Sequence, residues 1–265
     1  MTARPPLDLQ AIRGVVLDMD GVLWRGDEAI PGAAQFLRYL KQHGIPFQLA
    51  TNNSTRSVAE FAAKCAALGL PASAEQIINS PLVALDELRR QVKPGSPVYV
   101  IGSPSLEAFF AEAGFTLDSK RAKAVIVGLD RDLTYAKLQA AHARIMNGAL
   151  FLATNADATL PTPEGLIPGA GSIVAALETA TGKRAVVAGK PGPLMFTVAV
   201  ARLGCAPAQA LMIGDRLDTD IAGAQGAGLA SALVLTGVSG RKDVGPITPD
   251  AIYETLADLQ AAWTA

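Results

Sequence analysis

Histidine and cysteine are scarce in this chain: its 265 residues include two of each. Cys65 and Cys205 stand far apart and form no Cys-x-x-Cys or Cys/His pattern, so the sequence offers neither a zinc site nor a disulfide framework. Cys65, within the helical pattern AEFAAKCAALGL, reads as a small buried residue. His43 and His142 fall on helical patterns and read as surface residues, which disfavours histidine-based acid–base chemistry. Charge of one sign is also missing. The formal net charge is −1, and no run of about five like charges occurs, so nucleic acid and anionic membrane surfaces are not expected partners. No apolar run approaches the roughly 18 residues that suggest a membrane span, and MTARPPLDLQAIRG carries no signal-peptide core. These absences predict a soluble protein of a reducing, cytoplasmic setting. An anionic substrate would have to be held by a few local cations or by a metal.

Half the residues are hydrophobic and 18 % are charged, a balance that suits packed cores rather than disorder. Short apolar runs alternate with helical patterns along the whole chain. GVVLD (14–18) reads as a buried strand, PGAAQFLRYLKQH (31–43) as a helix closed by Gly44, and PFQLA (46–50) as a second strand. VYVIG, AVIVG, ALFLAT, AVVAG, ALMIG and SALVLTG are further strand candidates. Strands this continuously apolar, separated by helices, predict an α/β fold with parallel sheets covered on both faces. Punctuation at LRRQVKPGSP (88–97) and TGKR (181–184) suggests a discontinuous domain of residues 1–81 and 186–265 with residues 82–185 inserted.

Functional groups in open parallel sheets gather beyond the carboxyl ends of strands. Four such ends are informative here: Asp18 and Asp20 in DMDG, then Thr51, Asn52 and Asn53 in TNNS, then Lys190 in GKP, and Asp215, Asp218 and Asp220 in GDRLDTD. Each has an ordinary reading. DMDG suits a solvated turn, TNNS a helix cap, and a lysine before proline a loop. A calcium loop is excluded, because the positions that need Gly and Glu, counted from Asp18, hold Leu23 and Ala29. Gly182-Lys183 is no phosphate loop, since Leu177 occupies the place of its first glycine. PGAGSIV lacks the third glycine of a dinucleotide fingerprint and reads as a turn and cap. Taken together, the four strand ends supply acids, a hydroxyl, amides and an ammonium, an inventory for phosphate and metal.

In this order the motifs resemble those of the haloacid dehalogenase superfamily of phosphatases: DMDGVLW the first, TNNS the second, AGKP the third and GDRLDTDI the fourth. GLDRDLTYAKLQ and FLATNADATLPTPEGLIPGAGSIVAALE resemble the cap of the NagD-like, p-nitrophenyl phosphatase-like class IIA branch. The resemblance implies a Rossmann-like core with an inserted α/β cap. It also implies a phosphatase of small phosphomonoesters working through an aspartyl-phosphate. Asp18 would be the nucleophile and Asp20 the acid and base, with strand alternation sending both side chains to one face. Mg2+ would be held by Asp18, the Asp20 carbonyl and Asp215, with Asp220 in support and Asp218 its competitor for that place. Thr51, Asn52, Asn53 and Lys190 would hold phosphate. A phosphomutase, or a phosphate-binding module without turnover, are the alternatives. Leu129–Leu133 and Asn155–Thr159 are candidate cap surfaces. Cap docking would allow a homodimer, which the sequence itself does not reveal.

Overall fold

Two parallel sheets organise the chain, each belonging to one of two compact units. The computed structural model describes residues 7–162 and 165–264. The amino-terminal reading at residues 1–6, and residues 163–164 of the quoted cap stretch, lie outside the described residues. One unit comprises residues 1–51, 58–78 and 195–265; the other comprises 52–57 and 79–194. Residues 52–57, 79–81 and 186–194, read with the core in the sequence, therefore group by contact with the second unit.

In the first unit the sheet order is Ala251–Tyr253, Ala230–Val234, Ala210–Gly214, Gly14–Leu17, Phe47–Thr51, Ile77–Asn79. The ladders from Ala251–Tyr253 to Phe47–Thr51 are all parallel. Every residue of Gly14–Leu17, Phe47–Thr51 and Ala210–Gly214 is buried. That explains their near-continuous apolar sequences, because helices cover both faces of such a sheet. One face packs Val15, Leu17, Leu49, Leu211 and Ile213 with Phe36, Leu40 and Trp263 from the helices Ala33–Gln42 and Leu256–Thr264. Gly14–Leu17 lies between two strands that follow it in sequence, one soon after it and one far along the chain. Its two neighbours are Phe47–Thr51 and Ala210–Gly214, the kind of switch in strand order beyond whose carboxyl ends open α/β sheets take their ligands.

The second unit carries a five-stranded parallel sheet in the order Val186–Val187, Leu150–Ala153, Ala124–Val127, Pro97–Ile101, Thr116–Leu117. Val125, Val127, Phe151 and Ala153 pack on one face against Ile145, Ile173 and Leu177 of the helices Tyr135–Met146 and Ala170–Thr181. A hairpin, Thr159–Thr162 with Gly165–Pro168, precedes the second of these helices. All eight strands expected from the sequence are present, although AVVAG contributes only Val186–Val187. Besides the two antiparallel ribbons, Trp24–Arg25 with Glu28–Ala29 and Thr159–Thr162 with Gly165–Pro168, the parallel sheets gain Ile77–Asn79, Thr116–Leu117 and Ala251–Tyr253. These last three are two or three residues long, too short to show a period.

Candidate active site

Register brings the acids of the first unit together. Leu17 pairs with Ile213, and the Asp18 amide donates to the Ile213 carbonyl at 2.9 Å. Asp18 and Asp215 therefore emerge side by side where two adjacent strands end. Beyond Gly214 the chain turns through a wide π-type turn, Leu217–Ile221, that brings Asp220 back over the strand end. A Cβ on Gly214 would collide with the Asp220 side chain, so the bare glycine is what admits that carboxylate. Asp220 Oδ2 accepts from the Arg216 amide at 3.1 Å. Asp18, Asp215 and Asp220 are all buried, and one oxygen of each lies within 4.8 Å of the others.

Three carboxylates this close repel by about 3–4 kcal/mol per pair at an effective dielectric near 20, before any desolvation cost. Three hard oxygen donors in a confined, acidic place fit a small divalent cation such as Mg2+. The Asp215 carboxylate itself is seated against bare backbone. Gly21 and Gly237 both face the Asp215 carboxylate, and a side chain on either would run into it. Val238 donates its amide to Asp215 Oδ2 at 2.7 Å, which fixes the carboxylate's rotation. Asp218, by contrast, is exposed and held by Arg216 at 3.0 and 3.2 Å. Two residues of spacing within the wide turn send these two acids to different surroundings.

Asp20 is placed by a turn, not by strand alternation. The strand ends at Leu17, and Gly21 adopts φ +85°, in the left-handed region that favours glycine. The Gly21 amide donates to the Trp24 carbonyl at 2.8 Å, and the Trp24 indole N–H donates to Asp20 Oδ1 at 2.8 Å. Asp20 is thereby exposed while Asp18 and Met19 are buried. Thr51 ends its strand buried.

The second unit brings Asn52 and Lys190 together. Asn52 Oδ1 accepts from the Lys190 amide at 2.7 Å, and Asn52 Nδ2 donates to the Lys190 carbonyl at 2.8 Å. The same amide group reaches Asp157 at 3.1 and 3.3 Å, while Asn155 and Ser80 donate to the Asn52 carbonyl at 3.0 and 2.8 Å. The Asn52 side chain is thus committed to holding the segment that carries Lys190, whose side chain is buried. The Asn53 side chain accepts from Thr55 in a local turn, at 2.9 and 2.8 Å. Trp24 ends the DMDGVLW motif and Asp157 lies in the candidate cap surface Asn155–Thr159, but nothing in the sequence pairs Trp24 with Asp20 or Asp157 with Asn52. The spacing of Trp24, four residues after Asp20, is the only trace of the first contact.

Family models agree with this arrangement. The model for haloacid dehalogenase-like hydrolases matches residues 15–116, and a HAD-hydrolase-like model matches residues 187–259. A 5′-nucleotidase of Bacillus subtilis is 37% identical over 234 residues, 88% of this chain and 91% of that protein. The chain belongs to the haloacid dehalogenase-like hydrolases. Within them it falls in the NagD-like class IIA branch and is a phosphomonoester hydrolase. NagD of Escherichia coli matches with a TM-score of 0.84 at 33% identity, covering 93% of this chain and 98% of that one. A glycerol phosphate phosphatase of Mycobacterium tuberculosis, solved in complex with magnesium, matches with a TM-score of 0.83 at 40% identity, covering 95% and 77% respectively. No helix among the described residues is long and apolar enough to cross a membrane.

Proposed function

We propose that the protein is a Mg2+-dependent phosphatase that hydrolyses small phosphomonoesters through an aspartyl-phosphate on Asp18. The observation that carries this reading is the buried cluster of Asp18, Asp215 and Asp220 beyond the carboxyl ends of two adjacent parallel strands. Asp18, the Asp20 carbonyl and Asp215 would hold the metal, and Asp220 would support it. When bound, Mg2+ supplies positive charge that offsets the repulsion between carboxylate and phosphate.

The chain's own residues divide the remaining work. An Asp18 carboxylate oxygen attacks phosphorus as the bond to the leaving oxygen breaks. Asp20, as acid, delivers a proton to that oxygen. Water then attacks the phosphorus of the aspartyl-phosphate while the Asp20 carboxylate takes its proton, releasing phosphate and restoring Asp18. Lys190, the Thr51 hydroxyl and the amides at Asn52 and Asn53 balance charge on the non-bridging oxygens. Residues 1–81 and 186–265 are proposed as the catalytic core and 82–185 as its cap. The two free cysteines suit a reducing, cytoplasmic setting.

Phosphate release from a panel of sugar phosphates, nucleoside monophosphates, phosphoglycolate, pyridoxal phosphate and p-nitrophenyl phosphate tests the reading, with and without magnesium. Magnesium-dependent release is expected, and no turnover of any ester would overturn it. Isomerisation of a sugar phosphate without free phosphate would point to a phosphomutase instead. Asp18→Asn should lower turnover by ~10⁴-fold or more with the thermal midpoint preserved.

A further inference from the structure

Asp20 has two carboxylate oxygens, and the first unit treats them differently. Oδ1 accepts the Trp24 indole N–H at 2.8 Å. The indole itself is fully buried and cannot swing away. Lys64, on the helix Val58–Ala67, places its ammonium 4.6 Å from the centre of the Trp24 ring. That ammonium donates to the Gly26 carbonyl at 2.7 Å and lies 3.8 Å from the Asp27 carboxylate, both in the turn that follows Trp24. The ring is therefore clamped on its face by a cation that is itself anchored to the same turn. A cation over the π-face also draws electron density from the ring and makes its N–H a better donor.

We infer that Trp24 is a positioning residue for Asp20, clamped by Lys64, and that it assigns separate tasks to the two carboxylate oxygens. This rests on the acid and base role proposed for Asp20. An indole nitrogen is a donor only, so its partner must offer a lone pair. When Asp20 is protonated, the carbonyl-type oxygen is the better acceptor and stays at Oδ1; the proton resides on Oδ2. When Asp20 is ionised, Oδ1 keeps the same partner and Oδ2 is the oxygen left to accept. One oxygen is thus held in both protonation states. The other gives a proton to the leaving group and later takes one from water, with no rotation of the carboxyl between the two steps. Trp24 and Lys64 need not touch substrate. They act through the orientation of Asp20.

Orientation of an acid matters in proportion to how much the leaving group needs a proton. An alkoxide leaves poorly and requires it, whereas p-nitrophenolate leaves readily without it. The test compares kcat/KM for glycerol 3-phosphate and p-nitrophenyl phosphate in the wild type, Trp24→Phe, Lys64→Met and Asp20→Asn. The ratio of the two values is independent of the fraction of enzyme folded, so a merely structural role would not move it. Trp24→Phe keeps the aromatic body and loses the donor. It is expected to lose ~10- to 100-fold on the alkyl ester, in keeping with the cost of small misplacements, and no more than about threefold on the aryl ester. Lys64→Met keeps the aliphatic stem, and it should shift the ratio in the same direction by about two- to fivefold. If Trp24→Phe gives no folded protein, the Lys64→Met ratio decides. Asp20→Asn separates the two levels of inference. If Asp20→Asn shows the leaving-group split and neither other variant does, the positioning role is overturned while the acid role stands. If Asp20→Asn loses both esters equally, the acid role itself fails.

Discussion

Two aspartates separated by one residue, Asp218 and Asp220, show how little of a carboxylate's role is set by its type. Asp218 lies in solvent against Arg216, where an ion pair is worth at most about 1 kcal/mol. Asp220 is buried with Asp18 and Asp215, where each added negative charge raises the need for a cation. Asp220→Asn keeps the shape and removes the charge. The magnesium concentration for half-maximal activity should rise by ~10- to 100-fold, whereas Asp218→Asn should shift it by no more than about twofold. A magnesium titration of both variants checks this, and equal behaviour would count against Asp220 as the supporting acid. GDRLDTD holds both acids, but its spacing does not settle which of the pair turns inward. That choice depends on the wide turn Leu217–Ile221 and on the absence of a Cβ at Gly214, neither of which spacing displays. The Asn52–Asp157 contact was equally hidden, because its partners are 105 residues apart.

At the scale of elements, the loop after Ala230–Val234 approaches Asp215 so closely that Gly237 has no room for a side chain. Gly237→Ala must displace either the carboxylate or the loop. We expect a loss of about 1–3 kcal/mol, or ~2–4 °C in Tm for each kcal/mol, and a fall of at least ~10-fold in kcat/KM. Thermal unfolding with steady-state kinetics measures both. In the second unit, Asp130 is buried and pairs with Lys137 at 2.7 Å. Hydrogen bonding to Asp130 holds the Lys137 ammonium above its ordinary value of 10.5. Its stabilisation is therefore complete below that ordinary value and is lost as pH rises through the higher folded one. Lys137→Met should cost about 1–3 kcal/mol, less than a fully buried pair because the ammonium keeps some water. Urea unfolding should show this difference constant from neutrality to about pH 10 and shrinking above it. A difference that grows with pH would contradict the assignment. The strands that position both features were legible because they are buried on both faces. The edge strand Ala251–Tyr253 is only half-buried throughout and left no such mark.

For the whole molecule, the decisive pattern was an order of strand ends along the chain rather than any single motif. Parallel strands point their carboxyl ends one way, so acids far apart in sequence converge once register is set; Asp18 and Asp215 meet through the Leu17–Ile213 pairing. What order does not encode is the identity of the ester. The stretches Leu129–Leu133 and Asn155–Thr159 follow strands of the second sheet, and as proposed cap surfaces their acids, amides and hydroxyl would suit several leaving groups. Specificity constants across the phosphate-ester panel would rank them.

The proposed reaction turns on Asp18 carrying the phosphoryl group. Enzyme quenched during turnover and reduced with borohydride should yield homoserine at position 18 in the peptide spanning DMDGVLW. That product should appear only when substrate and magnesium are both present. Turnover with an unmodified residue 18, or reduction at another carboxylate, would exclude Asp18 as the nucleophile.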